Sequence, residues 1–135
     1  MALDYAKISA DLERILKLKS IPFGMKLFER RADMEAIPRI RRPKGSIHTL
    51  DQIVAQAARL GFTVGITGDD LVGNQCRAVV GLSNSKSEAW RSGAHMVNVW
   101  SGTPADAAAH QGSMHCVPDG KFEALAVSPL ASGRL

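Results

Sequence analysis

Apolar residues at positions 5, 8, 12, 15 and 16 (Tyr5, Ile8, Leu12, Ile15 and Leu16) recur every three or four residues, so residues 4–18 are expected to form an amphipathic helix packed on the rest of the chain. In "IPFGMKLFE" the period drops to two. Phe23, Met25 and Leu27 alternate with Gly24 and Lys26, which predicts a strand, and Pro22 suits a strand's first position, where a missing N–H costs least. From residue 30 to 45 the chain is charged and carries Pro38 and Pro43, the pattern of a long basic loop. Thr49 and Gln52 have capping-box spacing, and Ile53, Val54, Ala57 and Leu60 follow before Gly61, which predicts a helix over residues 50–60. The β-branched run "FTVGIT" reads as a strand and "GDD" as the turn after it.

Residues 76–82 are apolar over too short a run for periodicity to separate strand from helix. "SNSKSEAWRSG" is expected to be a polar loop with a helical turn near Glu88 to Arg91, and "HMVNVW" alternates like a strand. "TPADAAAHQG" has the marks of a helix start, with Thr103 as N-cap, Pro104 in the first helical position and Asp106 in the first turn. "VPDGK" then turns the chain into a last strand, "FEALAVS". Helices and strands interleave without a repeat or low-complexity tract, so the expected architecture is one α+β or α/β domain over residues 1–135. The chain stops soon after its last apolar strand. That ending suggests either a short edge strand or a sheet that a partner chain completes.

At 135 residues and 45% apolar content, the chain can bury a core without disulfide or metal staples. No window approaches eighteen consecutive apolar residues, and the N-terminus carries charges where a signal peptide needs an apolar stretch, so a soluble cytoplasmic protein without a membrane partner is expected. Cys76 and Cys116 are too few for a secreted disulfide framework. The net charge of +4 is unevenly spread, because residues 1–44 hold eleven Lys/Arg against six Asp/Glu and the remainder six against seven. The densest run, "RIRRPK", could meet an anionic substrate or an acidic partner. It has no interleaved aromatic residue, and the chain lacks a zinc-finger, helix-turn-helix or RNA-binding sheet signature, so nucleic acid is not an expected partner.

Three constellations could carry chemistry. Asp69 and Asp70 are adjacent carboxylates suited to acid–base work or to holding a divalent ion, and Cys76 is a candidate nucleophile if a cation such as Arg77 faces it. Cys76, His48, His115 and Cys116 are candidate ligands for a metal ion or an iron–sulfur cluster, although no C-x-x-C pair is present and adjacent strand residues point to opposite faces. Trp100 stands just before the helix start at Thr103, with His110 about two turns further on, an arrangement that could open a small-molecule pocket where free N–H groups receive an anion. The glycines form neither G-x-G-x-x-G nor a P-loop, so nucleotide binding is not expected.

The blocks "LKSIPFGMKLFE", "DDLVGNQCRAVVGL" and "EALAVSPL", in this order, resemble the bacterial and archaeal family known as domain of unknown function 169. The resemblance covers most of the chain. It implies that this chain corresponds to the first half of a longer domain whose second half carries further cysteines. It marks Cys76 as a position of interest, and it places "HTLDQ", with His48, where relatives often have a cysteine at the start of the preceding helix. From these features the expected function is a component of an enzyme acting on a small organic, anionic substrate, with Cys76, Asp69 and Asp70 in a cleft completed by another chain or a second copy. The alternatives are a noncatalytic assembly subunit of a redox or decarboxylase complex docking through the basic N-terminal half, and a metal-binding protein using Cys76 with histidines.

Overall fold

The structure, a computed structural model, describes residues 3–43, 48–71, 74–82, 92–114 and 120–135. Helix α1 (Tyr5–Leu16) starts where the Asp4 carboxylate accepts the Lys7 N–H at 3.0 Å and stops at Lys17, which takes a left-handed conformation. Its expected stripe is only half used. Tyr5, Ile8 and Leu12 turn inward, whereas Ile15 and Leu16 are exposed. Strand β1 (Phe23–Phe28) follows. The stretch read as one long loop begins with a short helix, α2 (Arg31–Glu35), held by an Arg31 to Glu35 pair one turn apart. Met34, the buried residue of that helix, anchors it.

Helix α3 (Leu50–Leu60) spans the predicted residues. Gln52 Oε1 accepts the Thr49 N–H at 3.0 Å, the reciprocal half of a capping box, and Gly61 ends the helix at φ 68°. Strand β2 (Val64–Thr67) leads into a 3-10 turn, Gly68–Asp70, and then α4 (Asn74–Val79). The Cys76 segment is therefore helical, and Leu82 after it makes an isolated bridge to Phe122. The "HMVNVW" segment is not a strand. It forms a 3-10 turn, Ala94–Met96, after which Asn98 at φ 62° curls the chain so that the N–H groups of Val99, Trp100 and Ser101 all point to the Met96 carbonyl. Helix α5 (Pro104–Ser113) has Thr103 as N-cap, as its sequence signals, and β3 (Ala124–Pro129) is followed by a 3-10 turn, Leu130–Ser132.

The sheet order is β1-β3-β2, antiparallel throughout, giving a mixed α+β domain. Register sets Met25 and Val64 on either side of Val127, and Leu27 and Ile66 on either side of Leu125. On that face Val64, Ile66, Leu125 and Val127 pack with Ile53 and Ala57 of α3. Complete burial of a side chain such as Ile53, Ile66 or Leu125 contributes about 1.5–3 kcal/mol. The opposite face buries Phe28, Ala124 and Ala126 beneath Met34, Ile37 and Ile40. Gly65 belongs to that face, and a Cβ there would force the ends of the Met34 and Ile40 side chains to shift. Since both faces are covered, the central strand reads as an unbroken buried run from Ala124 to Ser128. Among the described residues, no helix is long and apolar enough to cross a membrane.

Candidate functional site

The end of β2 determines the fate of the two carboxylates. As the chain leaves the sheet at Thr67, the 3-10 turn brings Asp70 back over it. One oxygen, Asp70 Oδ2, accepts from Thr67 N–H at 2.7 Å, from the Thr67 hydroxyl at 2.9 Å and from Arg42 Nη2 at 2.7 Å. Arg42 also lies 3.8 Å from Glu35, which in turn pairs with Arg31. A chain of alternating charge thus fastens the 30–43 segment to the turn after β2. The Asp70 carboxylate is a structural anchor, while its neighbour Asp69 is exposed. The two do not form an acid–base pair with a shared environment.

Other N-terminal cations near this network are engaged as well. Arg30 makes two hydrogen bonds to Asp33, at 2.7 and 3.0 Å, and Arg41 stacks on the Phe62 ring 3.4 Å from its centroid. The Asp33 and Glu35 carboxylates, chiefly through these hydrogen bonds, raise the pKa of Arg30 and Arg31 and keep both charged. Arg30, Arg31, Arg41 and Arg42 are thus engaged within the chain, whereas Arg39 of the same run is exposed.

Cys76 is a half-buried free thiol on α4, packed against the core that α3 shares with the sheet. It opens on a groove of about 610 Å3 lined by Phe23, Leu50, Val54 and Ala58, with Asp51 and Arg59 also on its walls. Arg77 does not serve this thiol. Its Nε donates to the Leu71 carbonyl at 2.9 Å, and its Nη2 reaches the same oxygen. That contact closes the loop between the Asp70 turn and α4. Asp69 and Asp70 are absent from the groove walls, so the structure does not bring the predicted catalytic trio together.

The candidate ligands are separated in a similar way. The His48 N–H donates to the Asp70 carbonyl at 2.9 Å, and His48 lines a different depression, with Gln52, Ala55, Gln56, Arg59 and Leu60. His115 and Cys116 lie outside the described residues. Among the described residues, no group of three or more His, Cys, Asp or Glu could hold a metal ion. At the other predicted pocket, Trp100 is 71% exposed on its turn. The Thr103 hydroxyl accepts the Asp106 N–H at 3.1 Å and donates to the Asp106 carboxylate at 2.6 Å, and His110 is exposed on α5. The cap is fully used within the helix. Sequence reasoning missed Arg42 as the partner of Asp70 and missed Asp51 and Arg59 beside Cys76, because these contacts join segments far apart in the chain.

A family model described as uncharacterised ArCR, the domain of unknown function 169, matches residues 11–134. No curated protein and no solved structure matches the chain significantly.

Proposed function

The chain belongs to the domain of unknown function 169 family, and on that premise we propose that it is one component of an enzyme acting on a small organic, anionic substrate. The Cys76 groove is its half of the site, and another chain supplies the rest. The observation carrying this reading is the state of the thiol: Cys76 is free and partly exposed at an apolar groove, and the nearest cation in sequence, Arg77, is tied to the Leu71 carbonyl. A thiol used as a nucleophile needs a cation or base beside it. Within this chain only Asp51 and Arg59 on the groove wall are at hand for that task, and the remaining groups of the site come from the second chain. Arg59 on the groove wall offers a cation to an anionic substrate, while Phe23, Leu50 and Val54 offer it an apolar bed.

The test is native mass spectrometry of the tagged full chain purified from its own cells, with maleimide labelling of Cys76 followed by peptide mapping. A stoichiometric second chain that shields Cys76 at least tenfold relative to the isolated protein is expected. A monomer, or a complex in which Cys76 labels at the isolated rate, overturns the proposal.

A further inference from the structure

On the other side of β1 from the Cys76 groove, the first turn of α1, the strand β1, the end of β3 and the residues after it enclose a cleft of about 340 Å3, within the size range of small-molecule sites. Phe23 lines the groove and Gly24 lines the cleft, as expected for neighbours on a strand. The cleft has a one-sided chemistry. Its walls include two cationic residues, Lys26 and Arg134, the polar residues Tyr5 and Ser128, and no Asp or Glu side chain, with Leu135, the last residue of the sequence, beside them. Leu130 and Leu135 supply apolar surface there.

The polar groups here are placed yet not neutralised. Arg134 Nη1 donates to Thr63 Oγ1 at 3.3 Å, Thr63 shares a 2.7 Å hydrogen bond with Ser128, and Ser128 shares one of 2.8 Å with Ser132. This hydroxyl chain steadies the guanidinium while using only one of its five N–H donors. The Lys26 ammonium sits 5.1 Å from the centre of the Phe28 ring. Among the described residues, neither cation pairs with a carboxylate, and the Tyr5 hydroxyl has no hydrogen-bond partner. Two like charges on one cleft repel each other, and an anion between them removes that repulsion and accepts the free donors.

We propose that this cleft binds small organic carboxylates, with the carboxylate held by Arg134 and Lys26, the Tyr5 hydroxyl donating to it, and the apolar body lying on Leu130 and Leu135. This site stands independently of the Cys76 reading, since it shares no residue with that groove. Gly24 keeps the floor open. A methyl group there would reach Leu135 Cδ1 at 3.5 Å and Leu130 Cδ1 at 3.8 Å, occupying the cleft without displacing its walls.

The experiment is titration of the full chain with benzoate, followed by calorimetry and by amide chemical shifts, with benzyl alcohol as the neutral analogue and inorganic phosphate as the anion without an apolar body. Saturable benzoate binding is expected, with shifts at Tyr5, Met25 and Leu130. Benzyl alcohol and phosphate should each bind at least about tenfold more weakly. Lys26→Gln and Arg134→Gln alter exposed side chains and should each weaken benzoate by a similar factor, and Gly24→Val should block it while the amide spectrum elsewhere is retained. Absence of saturable binding, equal binding of benzyl alcohol or of phosphate, or unchanged affinity in both charge variants overturns the proposal.

Discussion

Arg42 reaches 28 residues along the chain to place its Nη2 2.7 Å from Asp70 Oδ2, on the same oxygen that accepts the N–H and hydroxyl of Thr67. The two side chains are 28% and 19% exposed, so the pair is partly desolvated, and losing one member strands the other. Asp70→Ala should therefore cost about 2–3 kcal/mol, the range for hydrogen bonds to a charged group together with the donors left unsatisfied. Asp69→Ala, one residue away and exposed, should stay within about 0.5 kcal/mol. Urea denaturation of both variants checks the assignment. Equal losses would contradict a structural role specific to Asp70.

This contrast marks the limit of what the residues announce. Elements with a local cause were legible. The α3 helix carries its own capping pair and stop, α5 its own Thr-Pro start, and β2 and β3 their β-branched or apolar runs. The failures occurred where distant contacts override the local pattern. "HMVNVW" alternates like a strand, yet among the described residues no strand lies beside it, and it curls on the Met96 carbonyl. The 30–45 segment looks like solvated charge, yet Met34 and Arg42 pin it to the sheet and to the Asp70 turn. The site follows the same rule. "GDD" was legible as a turn, but which carboxylate serves it depends on an arginine far upstream, and Arg77 beside Cys76 turns away to a carbonyl.

The buried hydroxyl pair of Thr63 and Ser128, 2.7 Å apart and each about 1% exposed, joins the last residue before β2 to β3. Removing the Ser128 hydroxyl leaves Thr63 with only the Arg134 contact, and removing the Thr63 hydroxyl leaves Ser128 with only Ser132. Ser128→Ala and Thr63→Val should each cost about 1–2 kcal/mol, while the double variant should cost about 1 kcal/mol less than their sum, because either single change already loses the 2.7 Å hydrogen bond between them. A double-mutant cycle by urea denaturation measures this difference. Strict additivity would mean that the two hydroxyls do not interact.

Gly93 and Gly61 share a left-handed backbone, at φ 69° and 68°, but they differ in what stands beside them. At Gly61 a Cβ meets nothing within 4 Å, so Gly61→Ala pays only the conformational penalty, about 1 kcal/mol. At Gly93 the added carbon would lie 2.5 Å from the carbonyl carbon and oxygen of Ala107 and 2.8 Å from the nitrogen of Ala108. These are backbone atoms of α5, which cannot rotate aside as a side chain could. Gly93→Ala should therefore lose a further 1–3 kcal/mol or so by overpacking, or push α5 off the Ala94–Met96 turn. Denaturation midpoints rank the two variants, and amide shifts from Pro104 to Ser113 report displacement of the helix. Equal destabilisation without shifts in α5 would contradict the close seating of that helix on Gly93, and with it the position of Ala107 in the core.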